Sequence, residues 1–74
     1  MVSSRMILRN SSTKAVYLQW EPECIQIVLN QGESLMIENP QGGNVCELRF
    51  FDDEELASIV AIYPDNDDVV FRRQ

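Results

Sequence analysis

The chain has 74 residues and a mass of 8.5 kDa, which is enough for one small domain. Acidic residues outnumber basic ones by twelve to six, so the net charge at pH 7 is −6. This charge argues against binding to nucleic acid or to an anionic membrane surface, because both need clustered positive charge. Histidine is absent, which excludes catalytic triads, zinc sites and pH switches that depend on that side chain.

Short alternating segments separated by turn residues predict an all-β chain. In residues 15–20, Val16, Leu18 and Trp20 fall on one face, which is the pattern of a half-buried strand. Further strands are predicted at residues 6–9, 24–29, 34–38, 45–51, 56–63 and 68–72. We therefore expect a single domain over residues 1–74. It should be a small antiparallel β-sandwich of about seven strands, with room for disorder in the first few residues.

The apolar faces of these strands predict the core of the sandwich. Because successive side chains of a strand point to opposite faces, one face of each strand should be buried and the other solvated. The side chains expected inside are Val16, Leu18, Trp20, Ile25, Ile27, Leu35, Ile37, Leu48, Phe50 and Phe71.

Residues 53–63 also allow an α-helix, which would give an α+β fold instead. Four side chains recur there at helical spacing: Leu56, Ile59, Val60 and Tyr63. Pro64 would end such a helix. The same segment is rich in β-branched residues, and an antiparallel sandwich accommodates a seventh strand more readily than a lone helix. We therefore favour a strand here.

Several short motifs follow one another in the order found in a group of small bacterial proteins. They are Leu8-Arg9-Asn10-Ser11-Ser12, Trp20-Glu21-Pro22, Leu29 through Gly32-Glu33, Phe51-Asp52-Asp53 and Tyr63-Pro64. From about Leu8 onward the chain resembles this group. The resemblance implies a compact β-sandwich and a bacterial or phage source, and it favours a strand at residues 56–63. It implies no activity and no functional residue.

Two acidic clusters, Asp52–Glu55 and Asp65–Asp68, are candidates for a charged binding site. If each strand reverses direction, alternate loops share one end of the sandwich. One end then carries five carboxylates: Glu21, Glu23, Asp65, Asp67 and Asp68. Such a patch can steer a basic partner, but acidic clusters of this kind are more typical of solvated turn residues that keep a small β protein soluble. A calcium loop is not predicted, because Val69 stands where an oxygen ligand is needed and no glycine follows.

A second apolar surface is predicted opposite the core face. It would consist of Tyr17, Val28, Met36 and Val45. A small sandwich has one interior, so these side chains indicate an interface with a partner or with a second copy of the chain. Tyr17 would be the anchor, since aromatic residues dominate such interfaces.

The two cysteines, Cys24 and Cys46, complete neither a metal-binding nor a catalytic pattern. The chain shows no signal peptide and no run of apolar residues long enough to span a membrane. We therefore expect a cytoplasmic protein with free thiols and without cofactor, metal or enzymatic activity.

These features favour a small acidic, non-enzymatic protein–protein interaction module whose partner is unknown, with a homodimer as one form. Two other functions stay open. One is an acidic inhibitor that mimics the charge of nucleic acid, and the other is a calcium- or carbohydrate-binding module. Charge mimicry should weaken steeply with ionic strength, whereas apolar pairing should not.

Overall fold

The computed structural model describes residues 2–52 and 59–74, and these residues contain seven β-strands. They are β1 (Ser4–Arg9), β2 (Val16–Trp20), β3 (Ile25–Leu29), β4 (Ser34–Asn39), β5 (Cys46–Phe51), β6 (Ile59–Pro64) and β7 (Val70–Arg73). The strands form a three-stranded sheet, β1-β4-β7, packed against a four-stranded sheet, β3-β2-β6-β5. The predicted all-β class is confirmed. Within the described residues, no helix has the length and apolar character needed to cross a bilayer.

One strand pair departs from the antiparallel pattern that we expected. β2 and β6 run parallel, with Leu18 beside Val60 and Trp20 beside Ile62, whereas the other four pairs are antiparallel. All five pairings agree with a chain that reverses direction at each connection. β2 and β6 therefore point the same way, and they become neighbours when the β5–β6 pair folds beside β2.

The helix considered for residues 53–63 is wrong for residues 59–63, which belong to β6. This strand pairs with β2 on one side and with β5 on the other, so its backbone hydrogen bonds are satisfied across the sheet. Its central residues Ala61 and Ile62 are buried. The remaining part of the segment, residues 53–58, lies outside the described residues.

The core fills the space between the two sheets. Its buried members are Leu18, Trp20, Ile27, Leu29, Leu35, Ile37, Ile62 and Val69. Three other predicted core residues, Val16, Leu48 and Phe71, are partly buried and pack against this cluster. The Phe71 ring lies 4.6 Å from the Trp20 ring, centroid to centroid. Burial of these side chains is the main source of stability.

The prediction that Ile25 and Phe50 lie in the core is wrong, because their side chains are 44% and 75% exposed. Ile25 begins β3 and Phe50 lies near the end of β5, and these two strands are the edges of the four-stranded sheet. A layer of three strands cannot cover a layer of four over its full width. Alternation along a strand gives the face on which a side chain lies, but coverage depends on the opposite sheet.

Two buried asparagines fix the loops at opposite ends of the sandwich. The Asn10 amide donates to the carbonyls of Lys14 and Leu29 at 2.8 and 2.9 Å, and its oxygen accepts two hydrogen bonds from Ser12. The Asn39 amide donates to the carbonyls of Gly42 and Asn44 at 2.9 and 2.7 Å. The Asn39 oxygen accepts from Gln41 N and Asn66 Nδ2 at 3.0 and 3.5 Å. Neither side chain keeps an unsatisfied polar atom.

Exchanging Asn39 for aspartate should destabilise the fold, because two carbonyl oxygens would then face a carboxylate instead of an NH₂ group. We expect Asn39→Asp to lower the free energy of unfolding by about 2–4 kcal/mol near neutral pH. Burial disfavours the charged carboxylate and raises its pKa, so the loss should shrink as the pH falls towards the usual carboxyl pKa of about 4 and be smallest below it. Urea denaturation near neutral pH and below about pH 4 measures the free energy of unfolding of the variant and of the unmodified chain. Asn44→Asp is the matched control, since that side chain is exposed, and an equal effect of both variants contradicts the assignment.

Candidate functional site

An apolar cavity opens at one side of the sandwich, between the edge strands β1 and β5. We call it the side cavity; its volume is about 360 Å³, and its lining includes Leu8, Val16, Leu18, Leu48, Phe50 and Val60. These side chains come from β1, β2, β5 and β6, so both sheets contribute to it. Phe50 on β5, which is 75% exposed, is one of the residues that line it. An apolar recess with an exposed aromatic in its lining is suited to binding apolar side chains.

Strand β5 presents a sheet edge beside the side cavity. Among residues 2–52 and 59–74, only β6 pairs with it. The inward face of β5 carries Leu48 and Phe50, and the outward face carries Glu47, Arg49 and Phe51. A six-residue edge with unpaired backbone groups is a template for pairing with another strand.

The charged side chains on the outward face of β5 are held in place. Arg49 Nε donates to the Glu47 carboxylate, and the Arg49 guanidinium lies 4.2 Å from the centroid of the Tyr63 ring on β6. Glu47, and to a lesser degree Tyr63, raise the pKa of Arg49 above its usual value. Both charged side chains of the pair are more than half exposed. The outward face of β5 therefore carries one negative and one positive charge in fixed positions.

An apolar row crosses the outer face of the four-stranded sheet. The strand registers place Phe51 beside Ile59, Ile59 beside Tyr17, and Tyr17 beside Val28. Phe51 is half exposed, and the other three are partly buried. Two residues of the predicted apolar interface, Tyr17 and Val28, thus lie together on this surface.

The other two residues of that predicted interface, Met36 and Val45, lie elsewhere, contrary to the expectation. Met36 belongs to β4, the central strand of the other sheet, where it is 4% exposed between Ile7 on β1 and Arg72 on β7. Val45 precedes β5 and packs against the core. Met36 and Val45 therefore do not form one surface with Tyr17. Alternation could not show this, because it does not tell which sheet a strand joins.

The five predicted acidic residues lie at one end of the sandwich. Four of them, Glu21, Glu23, Asp65 and Asp67, line a cavity of about 290 Å³, which Trp20 and Val69 also line. Asp68 accepts a hydrogen bond from Gln41 of the adjoining loop. No lysine or arginine is among the residues that line this cavity, so its potential is negative. Within the described residues, no three carboxylates or thiols are arranged to hold a metal ion.

The two thiols lie in different surroundings and are not bonded to each other. Cys24 is exposed at the turn between β2 and β3, with a φ of 57°. The Glu21 carboxylate is the main cause that raises the pKa of the Cys24 thiol, and Glu23 contributes least. The Cys24 sulfur itself lies 3.7 Å from the Pro22 carbonyl oxygen. Cys46 is partly buried with its sulfur 3.6 Å from that of Met6, and burial raises its pKa. Neither thiol is activated as a nucleophile.

Comparison with known proteins identifies no relative of this chain. A scan against protein-family models finds no match, and neither the curated proteins nor the solved structures contain a significant match. The resemblance to small bacterial proteins therefore stays a prediction. The structure defines the class of the chain as a small all-β fold of two packed sheets.

The sequence interpretation missed β5 as a candidate binding strand, although two signals were present. Phe50 and Phe51 are adjacent, and neighbouring residues of a strand point to opposite faces, so one of the two rings has to leave the core. Glu47 and Arg49 share a face and carry opposite charges. Recognising them as an edge pattern requires the strand order, which is not local information.

The surroundings of Cys24 predict slow alkylation at mildly alkaline pH. Because Glu21 raises the pKa of this thiol, less thiolate is present than in an unperturbed cysteine. Glu21→Gln removes the charge and should speed the reaction of Cys24 with iodoacetamide several-fold, measured by mass spectrometry of the peptide. Glu23→Gln is the control and should change the rate less. An unchanged or slower rate in Glu21→Gln would show that Glu21 does not control this thiol.

Proposed function

We propose that the chain is a non-enzymatic protein–protein interaction module that binds an extended segment of a partner protein along β5. The observation that carries this proposal is the exposed Phe50 ring beside the side cavity. A bound segment would add a strand to the four-stranded sheet. Its backbone would then hydrogen-bond to β5, and its alternate apolar side chains would reach the side cavity.

The shape and polarity of the side cavity support this mode of binding. Its volume of about 360 Å³ is at the small end of the range for binding pockets, so it suits side chains better than a large ligand. Eight of its twelve lining residues have apolar side chains, and the other four are Arg9, Asn10, Ser11 and Ser12.

The position of Phe50 supports its role as the main contact. Apolar side chains that are exposed at an interface gain free energy when a partner removes them from water, and aromatic residues dominate this gain. Phe50 is more exposed than Phe51 on the same strand and than Ile25 on the opposite edge of the sheet.

Selection of extended peptides tests the proposal. Random peptides displayed on phage should yield binders with alternating apolar residues, and fluorescence polarisation should give their affinities at low micromolar protein concentration. Phe50→Ser should cost about 2 kcal/mol, or roughly thirtyfold in Kd. Ile25→Ser is the matched control, because it removes an exposed apolar side chain from the other edge strand of the same sheet.

Two outcomes would contradict the proposal. The first is that Phe50→Ser binds the selected peptides as tightly as the unmodified chain does. The second is that binding falls steeply with added salt, which indicates charge-driven binding at the acidic end instead of apolar pairing at β5. Circular dichroism of both variants shows that the fold is intact.

A further inference from the structure

We infer that the segment recognised by β5 is β5 of a second copy of this chain. The two strands would pair antiparallel about a two-fold axis at Leu48, which joins two four-stranded sheets into one. This inference rests on the proposed function, and it identifies the partner protein of that proposal as a second copy of the chain. Such an interface is isologous, because both copies use the same surface. Wherever one residue of β5 contacts a second residue in the other copy, the reverse contact forms as well.

The charges of β5 are complementary to themselves in this register. With the axis at Leu48, Glu47 lies directly opposite Arg49 of the second copy, and Arg49 lies opposite its Glu47. Residues directly opposite each other point to the same face of a sheet, so both pairs form on the outer face. Both side chains are more than half exposed in the single chain, so each is accessible to a second copy, and Arg49 would exchange its hydrogen bond with Glu47 of its own chain for one with the facing Glu47.

The inward face of β5 is complementary as well. The same register sets Leu48 opposite Leu48 of the second copy, and Phe50 opposite its Cys46. The Phe50 ring, which is 75% exposed, would then be covered by apolar and thiol groups beside the side cavity. Charge pairs of this kind fix register and partner, whereas the apolar contacts supply most of the affinity.

The other edge strands are less suited to pairing with themselves. β1 carries Arg5 and Arg9 without an acidic residue, so self-pairing about Ile7 sets these like charges opposite each other. β7 has only four residues, and its charged ones, Arg72 and Arg73, have no acidic residue on the strand to pair with. At β3, Arg73 Nη2 donates to the Val28 carbonyl at 2.6 Å, so one outward-facing backbone group of that edge already has a partner. Among the four edges in the described residues, β5 therefore best accepts a second copy.

Charge reversal on β5 tests the inference by sedimentation equilibrium. At high micromolar concentration, the unmodified chain should show twice its 8.5 kDa mass. Glu47→Arg and Arg49→Glu should each weaken the dimer about tenfold or more, because like charges then lie opposite each other. Mixing these two variants should restore the dimer, and so should combining both substitutions in one chain. Both positions are exposed, and circular dichroism verifies that each variant is folded.

Three results would overturn the inference. They are a mass of 8.5 kDa at every concentration, a dimer that neither single reversal weakens, and variants that do not recover when mixed. Tyr17→Glu tests docking through the outer face instead. Tyr17 lies on β2, two strands away from the β5 edge, so this variant should leave the dimer intact. If Tyr17→Glu alone dissociates the dimer, the face and not the edge forms the interface.

Failure of this inference is distinguishable from failure of the proposed function. If the chain stays monomeric but binds selected peptides through Phe50, the partner at β5 is a different protein. That result overturns the inference of a second copy and leaves the proposed function intact. A chain that dimerises with the expected charge dependence supports the proposed function and the inference of a second copy. A monomeric chain whose peptide binding ignores Phe50→Ser contradicts both.

Discussion

The unequal width of the two sheets is the constraint on which the rest of this structure depends. Three strands pack on four, so the edges of the wider sheet extend beyond their cover. At one edge, the Arg73 guanidinium donates to a backbone carbonyl of β3. At the other edge, the described residues provide no such group for β5, and Phe50 stays exposed beside an apolar cavity. The binding function that we propose follows from this difference between two edges of one sheet.

Two buried asparagines, one at each end of the sandwich, bond the loops to neighbouring parts of the chain. Asn10 bonds the loop after β1 to the end of β3, and Asn39 bonds the loop after β4 to Asn66 before β7. Gly42 in the second of these loops has a φ of 79°, and a Cβ there would collide with the Val2 carbonyl. Loops fixed by buried hydrogen bonds hold the two sheets in one relative position. A partner therefore meets a preformed edge, which lowers the entropy lost on binding.

Local patterns predicted the strands because alternation is a property of neighbouring residues. Val16, Leu18 and Trp20 were assigned to the core face from spacing alone, and direction reversal placed Glu21 and Asp65 at the same end. The environments of Phe50 and Met36 could not be predicted in this way. Both depend on the order of strands within each sheet, which long-range contacts determine. The parallel neighbours β2 and β6 are separated along the chain by three other strands, and no local signal records their pairing.

Amide hydrogen exchange measured as a function of protein concentration tests the central claim most directly, namely that β5 is the edge at which a second copy binds. Backbone groups that point outward from an edge strand exchange with solvent until another strand pairs with them. We expect protection of residues 46–51 to rise from low to high micromolar concentration, while protection of residues 4–9 in β1 and 25–29 in β3 stays constant. Protection of β5 that is independent of concentration, or a rise confined to β1 or β3, would contradict the claim.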